Sequence, residues 1–115
     1  MRFMLMFYEP ASAEAGDLAA FDAELERRGI AAAGPAMEAP EQADSLRLVD
    51  GAVRRAKAPV VKSEERLVGL RIVDCPDRET AVALAALAPA AKTGSVEVRG
   101  VHELPVAPEF DAAGH

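Results

Sequence analysis

Six consecutive residues near the start, Phe3-Met4-Leu5-Met6-Phe7-Tyr8, leave no face for water. Side chains of a strand point alternately to its two sides, so a strand of this content has to be covered on both. Glu9-Pro10 ends the run. Whatever follows in the chain has to supply two covers.

One cover is legible as helix. From Asp17 to Arg28, Leu18, Phe21 and Leu25 fall on one helical stripe, and Asp22, Glu24, Glu26 and Arg27 fall elsewhere on the wheel. Asp17 is the expected N-cap and Gly29 the expected C′ residue. A second helix, capped by Asp77, has an alanine-rich body from Ala81 to Ala88 and Pro89 at its end; Ala91 to Gly94 then turns the chain.

The remaining segments read as strands and connections. Ile30 to Met37, broken by Gly34-Pro35, is a short or irregular edge strand, and Glu38 to Asp44, with Pro40, is a loop. Leu46–Val49 and Ala52–Arg55 flank Asp50-Gly51, a strong hairpin signal. A two-residue turn pairs Leu48 with Val53, and Arg47 with Arg54 on the opposite face. Two arginines so placed repel unless water, a carboxylate or an anion lies between them. Lys57 to Arg66 is a polar loop. Val68, Leu70 and Ile72 alternate with Gly69, Arg71 and Val73 in a further strand, and the last strand is expected from Val96 through Leu104. If unbroken, it carries Val96, Val98, His102 and Leu104 on one face and Glu97, Arg99, Val101 and Glu103 on the other.

Strand, helix, short strand, hairpin, strand, helix, strand is the order of an α+β domain with an antiparallel sheet and two helices on one face. The other face of the first strand then lacks a cover, because there is no third helix to provide it. A second copy packed sheet against sheet is the simplest answer, so a homodimer is expected.

At 115 residues, with 50% hydrophobic and 28% charged residues, the chain has the size of one domain. That domain is expected over residues 1–104, with a loose Pro/Ala/Gly-rich tail over 105–115. The net charge of −6 argues against nucleic acid or an anionic membrane as partner. No segment approaches the ~20 apolar residues of a membrane span, and Met1 to Tyr8 is too short for a secretory signal. The single cysteine, Cys75, cannot form an internal disulfide and reads as a small buried hydrophobe. A cytoplasmic location is expected.

Several stretches resemble the YCII-related family, in particular its DGPF branch. They are Arg2 to Tyr8, the Asp50-Gly51 hairpin, Leu67-Val68-Gly69-Leu70-Arg71-Ile72-Val73-Asp74, and Gly94 to Glu103, the closest match. The resemblance implies a ferredoxin-like, dimeric α+β barrel. Where the branch has its Asp-Gly-Pro-Phe signature, this chain has Lys57-Ala58-Pro59-Val60, so a base stands where the acid belongs. Lys62-Ser63-Glu64-Glu65 replaces a Glu-Thr-Lys-Glu type stretch, and Gly34-Pro35 before Met37 replaces a common Gly-Glu before leucine. The family's suspected chemistry implies a histidine and an aspartate in a cleft beside the sheet, and neither falls on a matching position here.

Among the residues themselves, His102 is the one histidine inside the expected fold and the leading candidate for a general base. Its neighbour Glu103 would point to the other face. Arg47, Arg54, Lys57 and Arg99, with Tyr8, are the candidates for holding a small anionic or aromatic ligand. No metal site and no cofactor are expected, since metal-ligand spacings, phosphate-binding glycine loops and nucleophile elbows are all missing. Three functions follow. The first is a non-catalytic dimer binding a small ligand or protein partner. The second is a cofactor-independent enzyme of lyase or dehydrochlorinase type using His102. The third, implied by relatives joined to sigma-factor-like domains, is an accessory module of a transcription regulator.

Overall fold

A computed structural model describes residues 1–12, 17–34, 37–58 and 64–102. In chain order the elements are β1 (Arg2–Pro10), α1 (Leu18–Arg27), β2 (Ala31–Ala33), a 3-10 turn (Pro40–Gln42), β3 (Asp44–Val49), β4 (Ala52–Lys57), β5 (Glu65–Asp74), α2 (Arg78–Ala85), α3 (Ala90–Thr93) and β6 (Ser95–Gly100). Four strands form one antiparallel sheet in the order β2-β5-β1-β6. That is the ferredoxin-like arrangement, with β1 central and the β3–β4 hairpin set apart as its own two-stranded sheet.

The helix ends form where the sequence supplies caps. Asp17 accepts a hydrogen bond from the Ala20 amide, and Gly29 sits at φ +70 just past α1. Asp77 accepts from both the amide and the hydroxyl of Thr80 at the start of α2. Two expectations are corrected at the second helix. It stops at Ala85, and the stretch read as a turn forms a third short helix, α3, because Pro89 lacks an amide hydrogen and suits a helix start.

The three helices among the described residues join one core on one side of the sheet. Phe3, Leu5 and Phe7 of β1 meet Phe21 and Leu25 of α1, Ala81, Leu84 and Ala85 of α2, and Ala90 of α3. The Phe7 and Phe21 rings meet edge to face at 5.8 Å. Each such buried Phe or Leu contributes roughly 1.5–3 kcal/mol. Cys75 lies in this core and donates weakly to the Asp77 carbonyl, as its reading as a small hydrophobe requires.

A bulge opposite Phe7/Tyr8 shifts β5 by one residue, so that Gly69 faces Phe7 while Leu67 faces Tyr8. Strand β6 ends at Gly100, short of the expected Leu104, so His102 lies beyond the strand and off its pleat; Glu103 and Leu104 are outside the described residues, as are Pro59, Val60 and the 105–115 tail. The polar loop expected from Lys57 is also shorter, since Lys57 closes β4 and Glu65 opens β5.

Candidate functional site

The sheet face away from the helices is where β1 turns its second set of apolar side chains. Met4 lies between Ile72 and Arg99, Met6 between Leu70 and Glu97, and Tyr8 between Leu67 and Ser95. Directly opposed residues of antiparallel strands share a face, so these side chains line one surface. Along its centre it is apolar (Met4, Met6, Leu70, Ile72). Towards β6 and the Tyr8 end it is polar.

That polar end carries defined partners. Ser95 donates its hydroxyl to the Glu65 carboxylate at 2.7 Å, across the end of β1. Arg99 pairs with Glu97, two residues back on the same face. On the helix side of the same sheet end, Glu9 is buried and accepts from the Thr93 hydroxyl at 3.2 Å. Its cross-strand neighbour Arg66 reaches Glu41 on the 3-10 turn and ties the root of the hairpin to the sheet.

The sequence candidates separate into three places. Tyr8 and Arg99 share the open face, four residues of β6 apart along the sheet or roughly 13 Å. Arg47 and Arg54 stand directly opposite each other on the hairpin, as the two-residue turn requires, and neither forms an ion pair among the described residues. Lys57 is held by Asp44, which also takes Arg55. These two cations hold the Asp44 carboxyl below the usual carboxylate range, Arg55 most of all. His102 is exposed in an open depression of about 600 Å³ with Phe3, Arg78 and Gly100, at the opposite end of the sheet from Tyr8. The fold does not bring it to the arginines of the hairpin.

One buried charge escaped the sequence reading. Arg71 is 7% exposed on the helix side of β5 and binds Asp22 of α1 through two hydrogen bonds of 2.9 Å. The pair borders an open groove of about 640 Å³ between α1 and β2, with Ile30 and Ala32. The available signal was parity: Arg71 is two residues from both Gly69 and Val73, so it points the same way as Val73, into the covered side, where a guanidinium calls for a carboxylate. Among the described residues no three His, Cys, Asp or Glu side chains gather as a metal set, and no helix is long and apolar enough to cross a membrane.

The family model of the YCII-related domain matches residues 1–105. The chain belongs to the YCII-related domain family. Comparison with curated proteins finds no match. In this YCII-related chain the sheet face away from the helices is lined by residues of β1, β5 and β6.

Proposed function

We propose that this YCII-related chain is a non-catalytic homodimeric binding module. It closes its open sheet face against a second copy and holds a small anionic or aromatic ligand at the Tyr8 end of the resulting cleft. The observation that carries the reading is the one-sided placement of the helices. All three lie against Phe3, Leu5 and Phe7, while Met4, Met6, Leu70 and Ile72 form an apolar strip on the other side. Soluble domains rarely leave such a strip to water.

Ligand binding is supported by the arginines. Arg47 and Arg54 repel each other across the hairpin, and an anion between them removes that cost. Tyr8 offers an aromatic face and a hydroxyl at the end of the sheet where the hairpin roots. His102, exposed at the opposite end of the sheet from Tyr8, has no acid–base partner among the described residues, which favours binding over proton transfer. The changed signature at Lys57 points the same way.

The test is paired. Met6→Asp or Leu70→Asp is expected to yield a folded monomer by sedimentation velocity. Titration calorimetry with benzoate and with inorganic phosphate is expected to show binding to the wild-type chain that Arg47→Gln/Arg54→Gln abolishes. A dimer that binds neither probe contradicts the ligand half of the reading, and a wild-type monomer contradicts the whole.

A further inference from the structure

Among the described residues, the β3–β4 hairpin is a part that the fold leaves without cover. Every residue of β4 is exposed, and so is all of β3 except Ser45. Leu46, Leu48 and Val53 share one face and are 60%, 70% and 60% exposed. A two-stranded hairpin is at best marginally stable by itself in water, so three large apolar side chains on one side of it call for a surface to lie on.

Charge says what kind of surface. Residues 44–57 carry four Lys or Arg against two Asp, whereas the chain has 13 basic and 19 acidic residues in all, which leaves nine against seventeen elsewhere. A basic arm therefore extends from an acidic body, and the complement of the arm is the body of another copy. Arg55 and Lys57 flank the apolar face on its own side and share Asp44 between them, which leaves that face with one net positive charge beside its apolar contact.

Area argues in the same direction. The paired part of the sheet is four strands wide and six residues long on β1, roughly 20 by 20 Å. That is about 400 Å² of flat face per copy, against the ~800 Å² per partner of a standard stable interface. The hairpin roots at the Tyr8 end of that face, where Glu41 grips Arg66. From there it can extend the contact beyond the sheet.

We propose that the β3–β4 hairpin is an exchange arm, laid across a second copy of this chain with Leu46, Leu48 and Val53 against it and Arg55 and Lys57 over its acidic rim. The inference rests on the dimer proposed above and adds a second, separable contact to it. Because the arm shares no core with the main sheet, it can be altered without unfolding the domain.

The experiment uses the full chain. Leu48→Thr/Val53→Thr keeps strand propensity and removes apolar contact. It is expected to raise the dimer dissociation constant by about tenfold or more and to leave the urea midpoint of the monomeric Met6→Asp background unchanged. Hydrogen exchange followed by mass spectrometry is expected to show amides of Leu46–Val53 protected above the dissociation constant and unprotected below it. Concentration-independent protection, meaning that the arm lies on its own chain, overturns the proposal. So does a double variant that dimerises as tightly as wild type while Met6→Asp is monomeric. A wild-type chain that is monomeric at every concentration overturns both this proposal and the dimer beneath it.

Discussion

Asp22 and Arg71 join the first helix to β5, the longest strand of the sheet, by a two-pronged contact, Nε to one carboxylate oxygen and Nη2 to the other, each at 2.9 Å. The guanidinium is buried and the carboxylate partly exposed, so the arginine depends on the aspartate more than the reverse. Asp22→Ala takes this carboxylate from a buried guanidinium that keeps its hydrogen bond to the Leu70 carbonyl. A fully buried pair broken in this way costs about 3–5 kcal/mol; with one partner near water the expected loss is about 2 kcal/mol. Asp22→Ala/Arg71→Met should recover most of it, measured as urea midpoints.

The same pair sets an acid limb. Hydrogen bonding to Arg71 holds the Asp22 carboxyl below its ordinary value, with burial opposing. As pH falls, the unfolded chain takes up this proton first. The contribution of the pair is therefore complete above the unfolded value of about 4 and is lost as pH drops through the folded one. Stability curves of wild type and Asp22→Asn should run parallel from pH 7 to pH 5 and converge below pH 4. Parallel curves throughout would show that the pair carries no such linkage.

Gly94 is where the chain leaves α3 and enters β6 against the backbone of β1. A Cβ at this position would overlap the Tyr8 carbonyl oxygen and crowd the Glu9 Cα at 3.0 Å. Backbone atoms cannot rotate away as a side chain can. Gly94→Ala is expected to cost about 2 kcal/mol and to raise amide exchange along Ser95–Gly100 more than in β5. An unchanged urea midpoint would contradict this close approach.

Cys75 offers a check on the core. Burial raises its thiol above the ordinary range, opposed by the hydrogen bond to Asp77. With little thiolate and little access, its reaction with Ellman's reagent at pH 8 should be at least about tenfold slower in the native protein than in urea. Equal rates would mean that the end of β5 is open to solvent.

Local signals accounted for much of the architecture. The Asp17 and Asp77 caps, the Asp50-Gly51 turn with its Arg47–Arg54 and Leu48–Val53 pairs, and the two-sided β1 all depend on neighbours in sequence. What sequence hid depended on distant partners. The Arg71 pairing was not legible because its carboxylate lies 49 positions away on a helix. The early end of β6 followed from pairing, since β1 has no residue left to match beyond Arg2 and Phe3. Tyr8 and Arg99 were identified as candidates, but their shared face emerged only from the β1–β6 register.

Sedimentation equilibrium of the wild-type chain over micromolar to hundred-micromolar concentrations tests the central reading most directly. The expected result is a reversible monomer–dimer equilibrium with the dimer dominant at the upper end, abolished by Met6→Asp. A single monomeric species at every concentration would mean that the Met4–Met6–Leu70–Ile72 face needs no second copy, and would contradict the dimeric binding module.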